Sequence, residues 1–450
     1  MPLHTACRAS IGKCLSSLQF YYATQKGILI PWKPVIAEHF KTLGELLIAD
    51  RGGYIFEPEI GVHEKVAEFD FVSLYPNIML KKNLSAETVL CECCQSSKLR
   101  VPELGYNICE KRVGLVPMSL KIVLDKRKKF KQLLKRPNNN SLLKTIYDSR
   151  QNTLKWILVT SFGYLGFNNA KFGRIDAHIA VCAFDRQILL QAAKIAERYG
   201  FRVLHGIVDS IWVKKKHNNY DNKLDLYDYL KLKEAIEKQT GFEISFEGTY
   251  KWIAFIHSKA NDILPVPNRY FGAFEDGSLK IRGIEARRHD TPPFFSRCQK
   301  EILKVMATEN TINEVKALIS TKVNDIFQRY VTSLRERRVS LEELVFTKRL
   351  SRNSSEYQNR DTIENSALRL LESECKYLKA GEILKYVITD YYCYPTKKRL
   401  SSKNVRAIPI ELIDDKTSTT YGIRYTELLA ETCNSLTEPF GYTLTTTKTN

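Results

Sequence analysis

No apolar run in this chain of 450 residues reaches the length a helix needs to span a bilayer, which is ~20 residues. A membrane-spanning protein is therefore not expected. Met1 to Arg8 carries no charged stretch followed by an apolar one, so no secretory signal is expected. An intracellular, cytoplasmic location is the expectation. There is no internal repeat and no long low-complexity tract, which excludes solenoids and arrays. The 11 cysteines are scattered apart from one cluster. That argues for reduced thiols over a disulfide framework. Acidic residues are the minority, 50 Asp+Glu against 69 Lys+Arg, leaving a net charge of +19. Such a surplus favours a polyanionic partner, nucleic acid above all, and the alternative is a merely soluble basic protein.

What is present is a globular composition. Hydrophobic residues make up 44% and aromatics 11% of the chain, and its length suffices for about two to four units with cores of their own. Amphipathic patterning predicts helices around Ile11 to Tyr22 and Val35 to Ile48. Asp50 to Gly53 reads as a turn, and residues 54–80 read as strand, turn, strand. Residues 81–117 read as irregular. Two long helices follow, roughly Pro117 to Arg136 and Ser141 to Ser161. Pro137 to Asn140 is a strong turn signal, which predicts an antiparallel helical hairpin. A helix from His178 to Tyr199 precedes a strand–turn–strand over Arg202 to Val213. After a polar loop with Lys214 to Lys216 and Asn218-Asn219, a helix is expected near Leu226 to Gln239. Strands recur over Phe242 to His257 and Arg269 to Ile281. From Thr291 to Tyr330 the pattern is mainly helical, then mixed, with a polar end over Thr443 to Asn450.

The densest chemistry lies in Glu68 to Ile78. Asp70 stands at the end of an apolar run, Val66 to Phe71, and Tyr75-Pro76 suggests a sharp turn just beyond. A carboxylate so placed can hold a divalent metal while a nearby aromatic ring shapes a substrate pocket. Asp209 sits at a tight turn between two apolar strands. Two such carboxylates can bridge two cations ~3.5–4 Å apart; the other reading of Asp209 is a turn residue capping its own backbone. Lys121 to Arg136 holds eight basic residues and one acid, Asp125. Arg127 and Lys131 share a helical face, as do Lys155, Val159 and Phe162. Cations on two facing helices can grip a triphosphate, or they form a solvated basic face. Cys91, Cys93, Cys94 and Cys109 are either a thiolate metal site, zinc or another thiophilic ion, or plain free thiols.

These segments together resemble the family-B DNA polymerases. Asp70 to Ile78 is similar to the family motif Asp-Phe-x-Ser-Leu-Tyr-Pro-Ser-Ile. Arg150, Gln151 and Lys155, through Phe162, Gly163, Tyr164 and Gly166, resemble its fingers motif. Val203 to Val213 resembles its second aspartate motif. Arg269-Tyr270, and Lys280 with Arg282, Gly283, Glu285, Arg288, His289 and Asp290, resemble segments that hold the primer duplex. Leu344 to Ser351 and Ala407 to Glu411 resemble thumb segments. The resemblance runs in family order from about residue 8 to Tyr442.

It implies an α+β right-hand polymerase core, archaeal-like, with an antiparallel-sheet palm, helical-hairpin fingers and a mainly helical thumb. The implied boundaries are an N-terminal segment over 1–50, palm over 51–80 and 171–290, fingers over 81–170 and thumb over 291–450. The implied chemistry is template-directed addition of deoxynucleotides to a primer 3′-end with two Mg2+ ions, for which Mn2+ is a substitute. Asp70 and Asp209 would be the catalytic metal ligands, with the Phe71 carbonyl assisting. Arg127, Lys131 and Lys155 would meet the triphosphate. Ser73 and Leu74 would offer backbone N–H groups, Tyr75 would exclude a 2′-hydroxyl, and Phe162 would face the nucleotide. Gly163, Tyr164, Gly166, Arg269, Tyr270, Lys280, Arg282, Gly283, Arg288 and Lys348 would meet primer–template DNA. His205 and His289 are not expected to bind metal.

Three departures stand out. The family's Asp-Thr-Asp reads Ile207-Val208-Asp209 here. The Asn four residues after the fingers lysine is Val159, and the following Tyr is Phe162. No Asp-x-Glu triplet, the mark of the family's proofreading exonuclease, occurs in the chain. The expectation is a core without its own exonuclease: either that activity sits on another polypeptide, with a separate exonuclease or processivity subunit as partner, or this is a truncated or non-proofreading form. The rival expectation is a polymerase-like DNA-binding scaffold or subunit whose catalysis is weakened or lost.

Overall fold

The computed structural model describes residues 3–32, 38–136, 140–216, 226–357, 362–389, 407–413 and 422–446. The turn expected at Pro137 to Asn139, the loop residues Asn218 and Asn219, and the last four residues lie outside these. The chain divides into two compact units. One comprises Met1–Phe56 with Ala67–Glu247, the other Glu57–Val66 with Gly248–Asn450.

The first unit contains α1 (Leu3–Arg8), α2 (Ile11–Gln25), α3 (Leu43–Ala49), β1 (Ile55–Phe56) and the end of β2 (Gly61–Phe71). There follow α4 (Leu74–Lys81), α5 (Leu115–Leu134), α6 (Ser141–Leu165) and α7 (Ile175–Arg198). Then come β3 (Phe201–Ile207), β4 (Ser210–Lys215), α8 (Leu226–Thr240) and the start of β5 (Ile244–His257). The strands lie in the order β1-β3-β4-β2-β5. β3 pairs antiparallel with both β1 and β4.

The period-2 pattern of β2 decides which way its side chains point. Ala67, Phe69 and Phe71 are buried in the helix-covered core, and the alternation turns Glu68 and Asp70 to the other face. Burying each Phe stabilises this arrangement by about 1.5–3 kcal/mol. A one-residue slip would put both rings on the wrong face. Asp70 is thus aimed by its apolar neighbours. α7 lies against β3 and α8, and its many alanines, Ala177, Ala180, Ala183, Ala192, Ala193 and Ala196, are buried there.

α5 and α6 pack along one another, as expected of a hairpin. Asn140 caps α6, accepting from the Leu143 N–H at 2.8 Å. Two expectations need correction. Of the helix foreseen from Val35, residues 35–37 lie outside the described residues, and among the described ones it begins only at Leu43, because Thr42 and Glu45 form a reciprocal capping box. The turn placed at Tyr75-Pro76 lies inside α4. Proline is tolerated there because an N–H in the first helical turn has no intrahelical partner to lose. The reversal occurs at Ser73 instead, with φ 49.

The second unit holds the first half of β2, most of β5, then β6 (Pro265–Phe274) and β7 (Leu279–Arg282), in the order β2-β5-β6-β7. Gly283 follows at φ +65, where a Cβ would lie 2.1 Å from the Asn268 carbonyl oxygen. Helices α9 (Pro293–Met306), α10 (Ile312–Leu318) and α11 (Asn324–Arg335) come next, the last two joined by a π-helical segment, Ile319–Val323. β8 (Phe346–Arg349), α12 (Ile363–Ser373), β9 (Ile383–Ile388), β10 (Ala407–Pro409) and α13 (Gly422–Thr437) complete it. The mainly helical region therefore carries a small antiparallel sheet of order β10-β9-β8. Buried Tyr425 ties this sheet to α13, donating to the Leu344 carbonyl at 2.7 Å and accepting from the Ile388 N–H at 3.0 Å. No helix among the described residues is long and apolar enough to cross a membrane.

Candidate active site

Asp70 leaves the end of β2, and Asp209 occupies the loop between β3 and β4. The Phe71 N–H donates to the Asp209 carbonyl at 2.7 Å, which holds that loop against the end of β2. Val208 takes φ 53 and donates its N–H to the Tyr54 carbonyl at 3.1 Å. A β-branched residue in the left-handed region is strained, so surrounding packing enforces this turn. Ser210 donates to the Asp70 carboxylate at 2.8 Å. Burial, and then the charge of Asp209, pushes the Asp70 carboxyl up to about 7, against the Ser210 bond, which favours the charged form. Two acids crowded in this way are what a divalent cation relieves. Glu247 joins them in the same cavity, accepting from Ser245 at 2.6 Å, and Ser245 also reaches the Asp70 carbonyl at 3.1 Å.

The cavity is about 530 Å³. Its floor is Asp70 to Pro76; Arg127 and Lys131 from α5, and Lys155, Val159 and Phe162 from α6, face it. Arg127 Nη1 donates to Ser73 Oγ at 2.6 Å, while its buried Nε has no partner among the described residues. Burial lowers the Arg127 pKa. Lys131 is lowered by burial and then by the charges of Arg127 and Lys155. Three clustered cations, one with an idle donor, can hold an anion. The first N–H groups of α4, which opens at Leu74 on the cavity floor, add to it.

Tyr75 leans on Phe162, with ring centroids 4.4 Å apart, and Phe162 stacks on His178 at 4.0 Å. Burial, then the charge of Asp185, raises the Tyr75 phenol. Gly166, at the end of α6, leaves room for the His178 ring, which would lie 3.0 Å from a Cβ there. Gly163 is exposed and Tyr164 partly buried on the last turn of α6.

Sequence reasoning missed Ser210, Ser245, Glu247 and Asp185. Asp185 is wholly buried on α7, and its oxygens meet no partner at hydrogen-bond geometry among the described residues. Burial, then the Asp209 charge, pushes it up to about 8, with the Tyr54 backbone N–H favouring the anion. A Cβ at Gly53 would lie 2.8 Å from its Oδ2 and 3.0 Å from the Tyr75 hydroxyl. Any side chain at Gly53 would press on both the acid and the phenol. The one sequence signal for Asp185 was an acid in an alanine-rich helix.

The remaining residues expected to meet DNA lie in the second unit. Arg269 is buried and donates to the His257 carbonyl at 2.9 Å. Tyr270 is buried opposite Arg282 in the β6–β7 ladder, and Lys280 faces Gly272. Arg282, Arg288 and Lys348 are exposed, and Arg288 bonds Asp290 at 2.8 Å. His205 is a core residue, its ring 2.7 Å from the Phe56 carbonyl and stacked on Trp212. His289 is exposed, and its carbonyl accepts from Thr347 at 2.7 Å. Cys91, Cys93, Cys94 and Cys109 converge away from the cavity.

Residues 17–437 match the family model of DNA polymerase family B. A protein named DNA polymerase 2 from Saccharolobus solfataricus is 33% identical over 329 residues, 73% of this chain and 46% of that protein. A protein named DNA polymerase from Archaeoglobus fulgidus is 31% identical over 415 residues, 92% of this chain and 47% of that protein. A solved family B DNA polymerase from Pyrobaculum calidifontis superposes with a TM-score of 0.64 at 25% identity, over 97% of this chain and 52% of that one. The chain thus spans about half the length of the relatives it matches.

Proposed function

The chain belongs to DNA polymerase family B, and from that premise we propose that it adds deoxynucleotides to a primer 3′-end under the direction of a template. The observation that carries this reading is one cavity lined both by the half-buried carboxylates Asp70 and Asp209 and by three clustered cations. Asp70 and Asp209, with the Phe71 carbonyl, suit two divalent cations. Such ions, when bound, activate the 3′-hydroxyl and stabilise the leaving pyrophosphate. Arg127, Lys131 and Lys155 orient the triphosphate and offset charge that develops on its oxygens. Ser73 holds Arg127 in place, and the opening turn of α4 offers N–H groups to the same phosphates. Tyr75, braced by Phe162, occupies the space of a 2′-hydroxyl. The cations of the second unit, half-buried Lys280 and exposed Arg282, Arg288 and Lys348, suit phosphates of the primer duplex. In this reading residues 81–170 are the fingers, 51–80 and 171–290 the palm, and 291–450 the thumb.

The rival reading, a DNA-binding scaffold with weakened or lost catalysis, draws on Ile207, Val208 and Val159. Against Ile207 stands Asp185, which returns a carboxylate to the neighbourhood of Asp209 from α7. Primer extension with Mg2+ or Mn2+ separates the two readings. Asp70→Asn and Asp209→Asn should each lower extension about 10³-fold or more, since bound metal supplies several kcal/mol, while duplex binding stays near the parent value. Parent-like extension by either variant, or none by the parent chain, would sink the polymerase reading. The same gels test the expectation that these 450 residues hold no proofreading site. A mismatched 3′-end should persist, and single-nucleotide release that survives Asp70→Asn would reveal a nuclease centre.

A further inference from the structure

Away from the cavity, the stretch between α4 and α5 closes on itself. Isolated bridges join Val89 to Ile108 and Arg100 to Asn107. A 3-10 turn spans Glu92–Cys94. The sulfurs of Cys91, Cys93, Cys94 and Cys109 all lie within 4.8 Å of one another. Cys93 and Cys94 are 3.7 Å apart, Cys93 and Cys109 3.7 Å, and Cys94 and Cys109 3.8 Å. Zinc binds thiolate at about 2.3 Å in a tetrahedron, which sets neighbouring sulfurs about 3.8 Å apart. The three separations among Cys93, Cys94 and Cys109 match that edge, and Cys91 Sγ lies within 4.8 Å of each of them. They are far too long for disulfides. They are also too short for an iron–sulfur cluster, whose own atoms lie between the ligand sulfurs.

We propose that Cys91, Cys93, Cys94 and Cys109 bind one zinc ion as a structural site that closes this knuckle. The surroundings fit that role. Cys91, Cys94 and Cys109 form a small buried cluster with no aliphatic side chain in it. Thiols alone make a poor core, whereas a metal makes a sufficient one. Asn107 lies behind the ligands, donating to the Cys91 and Cys94 carbonyls at 2.8 and 3.0 Å and approaching Cys91 Sγ at 3.6 Å. Such outer contacts orient thiolates on zinc. Cys93 is exposed and gives the ion an entry path.

The knuckle is tied to α5. Asn83 donates to the Cys109 and Arg112 carbonyls at 3.0 and 2.9 Å and accepts from the Gly114 N–H at 2.8 Å. Gly114 is the N-cap of α5, the helix that carries Arg127 and Lys131. Zinc here would hold the root of that helix and touch no substrate.

The test is metal content. The chain, expressed with zinc and purified without chelator, should carry about one zinc per chain by mass spectrometry. An organomercurial should release it as four thiols react. Cobalt taken up in its place should show the visible bands of tetrahedral thiolate coordination. Cys93→Ser, at the exposed ligand, should weaken zinc binding at least about tenfold, and Cys375→Ser, at an exposed cysteine elsewhere, should not. Should Cys93→Ser fail to fold, the parent chain's zinc count and cobalt spectrum still decide. Less than about a tenth of a zinc per chain, iron with sulfide instead, or equal zinc loss in Cys375→Ser would overturn the proposal. Zinc is counted without DNA or nucleotide, so failure here leaves the polymerase reading untouched.

Discussion

Arg127 Nη1 lies 2.6 Å from Ser73 Oγ, so the basic helix α5 is fastened to the residue where the Asp70 strand turns into α4. Ser73 itself holds a left-handed backbone, φ 49. The bond positions the guanidinium over the start of α4 and leaves its buried Nε without a partner among the described residues. Arg127→Ala should therefore act mainly on the nucleotide. We expect a roughly 10- to 100-fold loss in kcat/KM for deoxynucleotide, about 1.4–2.7 kcal/mol, carried largely by KM. Arg127→Lys should recover only part, because an ammonium lacks the fork that reaches Ser73 and a phosphate together. Loss of duplex affinity with unchanged nucleotide KM would assign Arg127 to DNA instead.

Tyr75→Ala should raise ribonucleotide incorporation relative to deoxynucleotide. The ring is held on its outer side by Phe162 at 4.4 Å, so it cannot easily swing away from a 2′-hydroxyl. Competition between the two nucleotides on one primer measures the ratio. Unchanged sugar discrimination would make Tyr75 a packing residue only.

The two raised carboxyls set a pH dependence with a definite sign. Asp70 stands near 7 and Asp185 near 8 in the folded chain, against about 4 when unfolded. Between these values the folded chain holds protons that the unfolded chain releases, so stability falls as pH rises from about 4 to 8. Without added magnesium, the Tm should be higher near pH 5.5 than near pH 8, and Asp185→Asn should flatten that slope. Magnesium should stabilise more at pH 8, where it no longer competes with protons. A Tm that rises over this range in the absence of magnesium would contradict the burial of these acids.

Binding to primer–template DNA should weaken steeply with salt. Each phosphate contact adds about 0.9 to the log–log slope on duplex, and the chain carries a net charge of +19. Arg282→Ala and Lys348→Ala, both exposed in the parent, should each reduce the slope by about 1. A flat salt response would argue against a phosphate-binding face.

Much of this site was legible because its residues announce themselves locally. Asp70 follows from the alternation that buries Phe69 and Phe71, Asp209 from a turn between two apolar strands, and Arg127 with Lys131 from helical spacing. Asp185 and Glu247 were not legible. They reach the site through tertiary placement alone, from α7 and β5, with nothing in their own neighbourhoods to mark them. The start of α4 was misread because Pro76 looks like a breaker, although the first turn of a helix accepts it. The thiol cluster was readable as a set of cysteines but not as a geometry. Cys91, Cys93 and Cys94 crowd in sequence, and only the 3-10 turn shows the Cys93 and Cys94 sulfurs set 3.7 Å apart.

The division of the chain has a practical corollary. Residues 57–66 belong to the second unit yet are flanked on both sides by the first, and two of the crossing points fall within β2 and β5. Neither unit is one uninterrupted stretch. A gene fragment starting at Gly248 would sever β5 and omit residues 57–66, which include the first part of β2, from the piece it meant to isolate. Anyone wishing to study the second unit alone would have to splice 57–66 back in, by a designed linker or a rearranged order of the termini, because the protein's own connectivity offers no place to cut.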